Sequence, residues 1–197
     1  MNAADILDFL HRIGSLKTLP RTGWRLRGVG DGESVADHTF RVVVLAMVLA
    51  DGAAGRGAEV DVLKVLRMAV LHDLAESEIG DIPRTALAYL DRSDKDRAET
   101  QAMRDLTAPL GPRGVEYMEI WDEMSAGESL EARLVRTADR LETLVQALEY
   151  ETAGSRRLDD FWDNASGGRL FAEYPEAADV LELLRARRQS LRPQPGQ

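Results

Sequence analysis

The stretch VDVLKVLRMAVLHDLAE, residues Val60–Glu76, decides how the chain is read. Val62, Leu66 and Ala69 recur at helical spacing, so the segment reads as an amphipathic helix over about Val60–Glu76 with one apolar stripe facing a core. Asp73 falls four residues after Ala69, in the middle of that stripe. A carboxylate on an apolar face is costly unless it is paired, hydrogen-bonded or bound to a metal. His72 stands beside it, and Glu76 lies four residues from His72, one turn away on the same face of a continuous helix. The ordinary alternative is a salt bridge to an arginine. No neighbouring residue supplies that cation, and the adjacent histidine points instead to a metal.

Outward from this segment the periodicity stays helical. Helices are expected over about Ala4–Ile13, from Val35 to about Asp51, from Ser93 to about Leu106, and over Val115–Met124, Leu130–Thr152 and Ala177–Arg188, with a short one at Leu158–Trp162. Ser34 reads as an N-cap, with Asp37 three residues on as an imperfect capping box; Ser93 reads as another cap. Gly14–Glu33 is long for a structureless connection, which hints at a binding loop. Gly52–Gly57 separates two helices, and Gly80-Asp81-Ile82-Pro83 reads as a turn, because proline disfavours helix at the residue before it. No repeat or linker divides the chain, so the expectation is one all-α domain, a helical bundle over residues 1–191, with a frayed tail at 192–197.

Composition bounds the function. With 197 residues, 44% of them apolar and 30% charged, the chain can bury a core of its own. The longest unbroken apolar run, Val42–Ala50, is about half of the ~20 residues a membrane helix needs, so no membrane partner is expected. The absence of cysteine removes thiolate metal sites and disulfides and suits a reducing cytoplasm. A net charge of -9 argues against binding a nucleic-acid polymer. A small phosphorylated ligand stays open, since one metal ion or a few arginines can reverse the field inside a cleft.

There are three histidines. His11 has no acidic neighbour at ligand spacing and reads as a half-exposed helix residue. His38 shares a helix face with Val42, Leu45, Ala46 and Leu49, so it is buried, either as a satisfied core histidine or as a ligand. On the helix from Leu130 the stripe Leu134, Ala138, Leu141, Val145 and Leu148 faces the core. Asp139, Glu142, Gln146 and Glu149 line one flank of it, a pattern that fits a solvated acidic face as well as a site.

His38, then His72-Asp73, then Asp139, each on a separate helix, resembles the H…HD…D signature of the HD-domain metal-dependent phosphohydrolases. Neighbouring segments add specificity. Glu33-Ser34-Val35-Ala36-Asp37-His38, His72-Asp73-Leu74-Ala75-Glu76 with Gly80-Asp81-Ile82-Pro83, and Pro20-Arg21-Thr22-Gly23-Trp24 resemble the 5′-deoxynucleotidase branch, bacterial and eukaryotic or archaeal. Ala138-Asp139-Arg140-Leu141-Glu142 and Ala147–Glu151 continue the likeness, which covers roughly residues 16–162. One departure is plain. The bacterial form has an arginine immediately before the tryptophan, where this chain has Gly23, and Arg21 is the nearest substitute.

The resemblance implies one divalent metal held by His38, His72, Asp73 and Asp139. Two imidazoles and two carboxylates suit Mn or Co first, with Fe, Ni, Zn and Mg within range. It also implies Glu76 as the acid for the leaving oxygen, Asp81 at the nucleotide, Trp24 against the sugar, and Arg21 and Arg84 as substrate contacts. The implied activity is hydrolysis of deoxynucleoside 5′-monophosphates by a homodimer. Two-metal cyclic-nucleotide phosphodiesterases of the superfamily need more histidines than this chain has. Phosphohydrolases of dNTPs or guanosine tetraphosphate need only the basic tetrad and are the enzymatic alternative, and a non-catalytic HD module is the other.

Overall fold

A computed structural model of the chain describes residues 2–165 and 169–191. The helices are α1 Ala3–Ile13, α2 Thr22–Arg25, α3 Val35–Gly55, α4 Val62–Leu71, α5 Glu76–Ile79, α6 Arg92–Thr107, α7 Pro112–Ala126, α8 Leu130–Thr152, α9 Asp159–Ala165, α10 Arg169–Ala172 and α11 Pro175–Leu191. Among the described residues there is no strand, only an isolated bridge between Pro20 and Ser34. The expected all-α class is what is found. The expected tail at 192–197 lies outside the described residues.

α8 is the axis of the bundle. It begins at Ser129, whose Oγ accepts the Ala132 N–H, and it is buried around most of its circumference. A helix apolar or buried on all sides must be enclosed by others, and α3, α4, α7 and α11 pack around it. α3 starts on a complete capping box: Ser34 Oγ accepts the Asp37 N–H, and Asp37 accepts the Ser34 N–H. α7 opens on Pro112 and stops at Gly127 in the left-handed conformation (φ 71°). Behind this layer α6 packs on α5 and α7, and Arg12 of α1 reaches Glu78 and the Asp105 carbonyl.

Several expectations need correction. α3 runs on through Gly52 to Gly55, where Gly52 lies close under the Glu176 carboxylate of α11, despite the weak helix propensity of glycine. Ser93 is not a cap, since α6 starts one residue earlier behind Asp91. The segment 14–33 is not structureless: Gly14–Lys17 forms a 3₁₀ turn and α2 follows. By length and composition α3, which extends beyond the apolar run Val42–Ala50, passes for a membrane span; here it packs against α8 and α4 inside the bundle.

The most consequential correction concerns the opening stretch. α4 ends at Leu71, and residues 72–75 are turns before the short α5. His72 Nδ1 takes the Ala69 carbonyl at 2.7 Å, the acceptor that an unbroken helix would give to the amide of Asp73. Tighter bonds replace the helical ones, with Leu74 N–H to Leu71 O at 3.2 Å and Glu76 N–H to Asp73 O at 3.1 Å. The helix thus breaks within the His-Asp pair.

Candidate metal centre

Each part of the centre is set by its own element. α3 carries His38, the broken end of α4 carries His72 and Asp73, and α8 carries Asp139. His38 is fully buried, and its Nε2 lies 3.1 Å from Asp139 Oδ1 and 3.8 Å from Asp73 Oδ2. His72 Nε2 lies 3.1 Å from Asp73 Oδ2 without hydrogen-bond geometry, and its ring centre is 5.5 Å from that of His38. Donor atoms of His38, His72 and Asp139 all fall within 4.8 Å of one another.

Two observations show that this donor set fits a divalent cation. His72 Nδ1 is turned to a backbone carbonyl, so it is the N–H and Nε2 is the lone pair; that buried Nε2 has no hydrogen-bond partner among the described residues. The field is that of a cation site. Burial and Arg21 oppose protonation of His38, yet Asp139 and Glu142 outweigh them and push it up to about 10. His72 is raised against its burial by Asp73, while Asp73 and Asp139 are held low, against burial, by the histidines. A dication bound here would take the place of these protons.

Around the tetrad the expected site residues divide. Glu76 is buried at its edge, with one oxygen lacking a partner among the described residues; burial first, then Asp73 and Asp81, push its carboxyl up to about 9. Arg21 does reach the centre: its Nη1 is 3.2 Å from Asp73 Oδ2, so the salt bridge that no neighbour in sequence could supply comes from a distant loop. Burial opposes its charge, but Asp73, Asp139, Asp81 and Glu76 keep it firmly protonated. Asp81 is occupied locally. Its Oδ2 accepts the Thr22 N–H at 2.5 Å and its carbonyl accepts the Thr22 hydroxyl at 2.9 Å, stapling α2 to the turn after α5.

Trp24 is 1% exposed, stacked on Phe161 at 4.2 Å, and its indole N–H is held by Glu33 at 2.9 Å. It anchors the loop from inside the core and presents no free face for a sugar, the reverse of the contact implied by resemblance. The physical reason is volume: an indole that fills a core slot between Phe161 and Tyr150 has no face left for a ligand. Arg84 is exposed, and it opposes the charge of half-buried Arg140 beside Asp139. His11 is exposed, as expected.

Glu142 is the residue the sequence left undecided. It is not solvated. Fully buried, it accepts a short hydrogen bond from His38 Nδ1 and another from Arg41 Nε at 2.8 Å. Arg41 goes on to Gln146 at 2.5 Å and Glu149 at 3.0 Å, so the acidic flank of α8 is cross-linked to α3. The available signal was spacing: Glu142 follows Asp139 by three and Arg41 follows His38 by three, which puts the pairs on facing helix surfaces.

Beside the tetrad a cavity of about 440 Å³ opens on His72, Asp73 and Asp139, walled by α6, α7 and α8. Another hollow of about 410 Å³, between Glu151, Arg157 and Arg188, lies away from any candidate ligand.

Comparison with known proteins shows the family. The HD-domain family model matches residues 13–176. The chain is 36% identical over 190 residues to human 5′-deoxynucleotidase HDDC2, covering 94% of this chain and 87% of that protein. It is 35% identical over 171 residues to 5′-deoxynucleotidase hdd1 of Schizosaccharomyces pombe, covering 82% of each. Among solved structures, a conserved hypothetical protein from Pyrococcus furiosus superposes with a TM-score of 0.77 at 37% identity, over 91% of this chain and 99% of that one. A predicted metal-dependent phosphohydrolase from Magnetospirillum magnetotacticum MS-1 superposes at 0.68 with 27% identity, over 95% and 91%.

Proposed function

The chain belongs to the HD-domain family, and from that membership we propose that it is a metal-dependent phosphomonoesterase that hydrolyses deoxynucleoside 5′-monophosphates to deoxynucleoside and phosphate. The observation that carries the reading is the convergence of His38, His72, Asp73 and Asp139 beside Glu76, a buried acid whose carboxyl is pushed up by burial and by Asp73 and Asp81. The names of relatives matched over most of their length supply the substrate class.

In this reading His38, His72, Asp73 and Asp139 hold one divalent ion, Mn or Co before Fe, Ni, Zn or Mg. When bound, such an ion polarises a phosphoryl oxygen and supplies a water nucleophile at neutral pH. Every other part belongs to the chain. Water attacks phosphorus in line, the bond to the sugar 5′-oxygen breaks, and Glu76 gives its proton to the departing oxygen. Arg21 offsets the excess of carboxylates around the reacting group. Asp81 contributes by fixing the loop that carries Arg21. Arg140, which follows Asp139 in the chain and feels the charge of Arg84, adds to the local attraction for an anion.

A homodimer belongs to the same reading. It is supported by the apolar face that α3 turns outward, with Phe40 72% exposed beside Val44, Met47 and Val48. So does a cytoplasmic location, since a chain without cysteine does not depend on an oxidising compartment.

The test is phosphate release from a panel of dNMPs, NMPs, dNTPs and guanosine tetraphosphate with added Mn or Co. Release from dAMP well above AMP is expected. Equal rates on the two would remove the deoxyribose selectivity, and turnover of the longer phosphates alone would remove the monophosphatase assignment.

A further inference from the structure

A charge balance raises the question of what holds the substrate. Two carboxylates cancel one dication, whereas a phosphate monoester brings close to two further negative charges. Arg21 is already engaged by Asp73 and lies among Asp139, Asp81 and Glu76. Trp24, on the same side, is sealed into the core.

The cavity of about 440 Å³ lies on another side, bounded by the open edge of the tetrad and by α6 and α7. Its size is that of an ordinary small-molecule site. Three cations line it: Arg92, Lys95 and Arg136. Arg136 is turned to the Ser125 carbonyl at 2.6 Å. Lys95 is mostly buried and is steered by Glu99, 2.5 Å from its Nζ and one helical turn on. It shares the cavity lining with His72, Asp73 and Asp139, and Glu76 and Asp73 act on its charge through space. A second, independent feature lies in the same wall. Trp121 is 4% exposed, and its buried indole N–H has no acceptor among the described residues. A buried N–H without an acceptor is uncommon, and a ligand oxygen in the cavity would satisfy it.

We propose that this cavity seats the phosphate ester, with Lys95 as the cation that grips the phosphoryl oxygens and Trp121 as a wall of the compartment that receives the rest of the ligand. The proposal rests on the phosphomonoesterase reading for the identity of the substrate. It differs from the expectation drawn from resemblance, in which the loop bearing Arg21 and Trp24 makes the contacts.

The metal-loaded full-length protein is titrated with inorganic phosphate, dAMP and deoxyadenosine, following tryptophan fluorescence and heat, for the wild type, Lys95→Met, Lys95→Arg, Arg92→Ala and Trp121→Phe. Phosphate and dAMP are expected to change the fluorescence of the wild type, and Trp121→Phe to lose that change. Lys95→Met should weaken both ligands roughly tenfold or more, leave deoxyadenosine unaffected, and raise KM with kcat within about threefold. Lys95→Arg should restore most of the affinity, and Arg92→Ala should have the smaller effect. Bound metal and circular dichroism must match the wild type, which separates a lost grip from a lost fold; Lys95→Arg serves where Lys95→Met does not fold. Undiminished phosphate affinity in Lys95→Met, or no Trp121-dependent response to either anion in the wild type, overturns the proposal. Phosphate binding that depends on Lys95 without turnover of any nucleotide would retain the grip and discard the nucleotidase reading.

Discussion

At the scale of single residues, the centre is a competition between protons and a metal. His38 titrates at about 10 instead of 6.5, and Glu76 at about 9 instead of 4.5, so the metal-free fold favours the protonated form of each. A raised folded-state pKa gives stability that is complete below the unfolded value and lost as pH rises through the folded one. The chelator-treated protein should therefore lose thermal stability from about pH 4.5, where Glu76 begins to contribute the loss, and more steeply from pH 6.5 to 10, where His38 adds to it, as followed by its Tm. The metal-loaded protein should gain relative to it over the same range, because fewer protons compete. Glu142 gives a second prediction. Removing the carboxylate that orients His38 Nδ1 and pairs with Arg41 should weaken metal binding by about 10–100-fold in a direct titration of Glu142→Gln. Undiminished affinity would make Glu142 only a structural partner of Arg41.

At the scale of elements, function depends on where helices begin and stop. The start of α3 is set by Ser34 and Asp37, one residue before His38. Ser34→Ala should cost about 1 kcal/mol in urea unfolding, the usual value of such a cap. Hydrogen bonds from Ser34 hold the Asp37 carboxyl below its ordinary value, so its share of stability is present above pH 3.8 and lost as pH falls further. The Ser34→Ala variant should show a shallower acid limb. The stop of α4 is less legible. Counted at 3.6 residues per turn, Val60–Glu76 is one helix; the break appears only once His72 takes the carbonyl of Ala69. Sequence periodicity counts side chains and is blind to a side chain that captures a backbone acceptor.

At the scale of the whole molecule, α3 is the element with two faces. Val35, Val42, Ala46 and Leu49 are enclosed by the bundle, while Phe40, Val44, Met47 and Val48 face outward. If the proposed homodimer forms through this face, Val48→Glu should shift sedimentation from dimer to monomer without altering helical content. An unchanged dimer would direct attention to another surface. The same helix explains why a helix of the bundle could be mistaken for a membrane span, since length and hydropathy do not say what covers a surface.

The sequence by itself determined the all-helical class and most helix positions, because helical periodicity is a local signal; the set His38, His72, Asp73 and Asp139 is what the family resemblance implies, since the flank that carries Asp139 has no pattern that tells a site from a solvated face. Only the tertiary structure decided which polar groups meet. Arg21 finds Asp73 across 52 positions and Glu142 finds His38 across 104, distances at which one chain carries no local pattern. Burial was equally out of reach. Resemblance puts Trp24 of a glycine-rich loop at the sugar, and in the fold Phe161 and Tyr150 close around it; Glu142 on an acidic flank fits a solvated face as well as a site until α3 covers it. Whether a polar or aromatic side chain serves a ligand or the core depends on what packs against it, and that is fixed only when the helices meet.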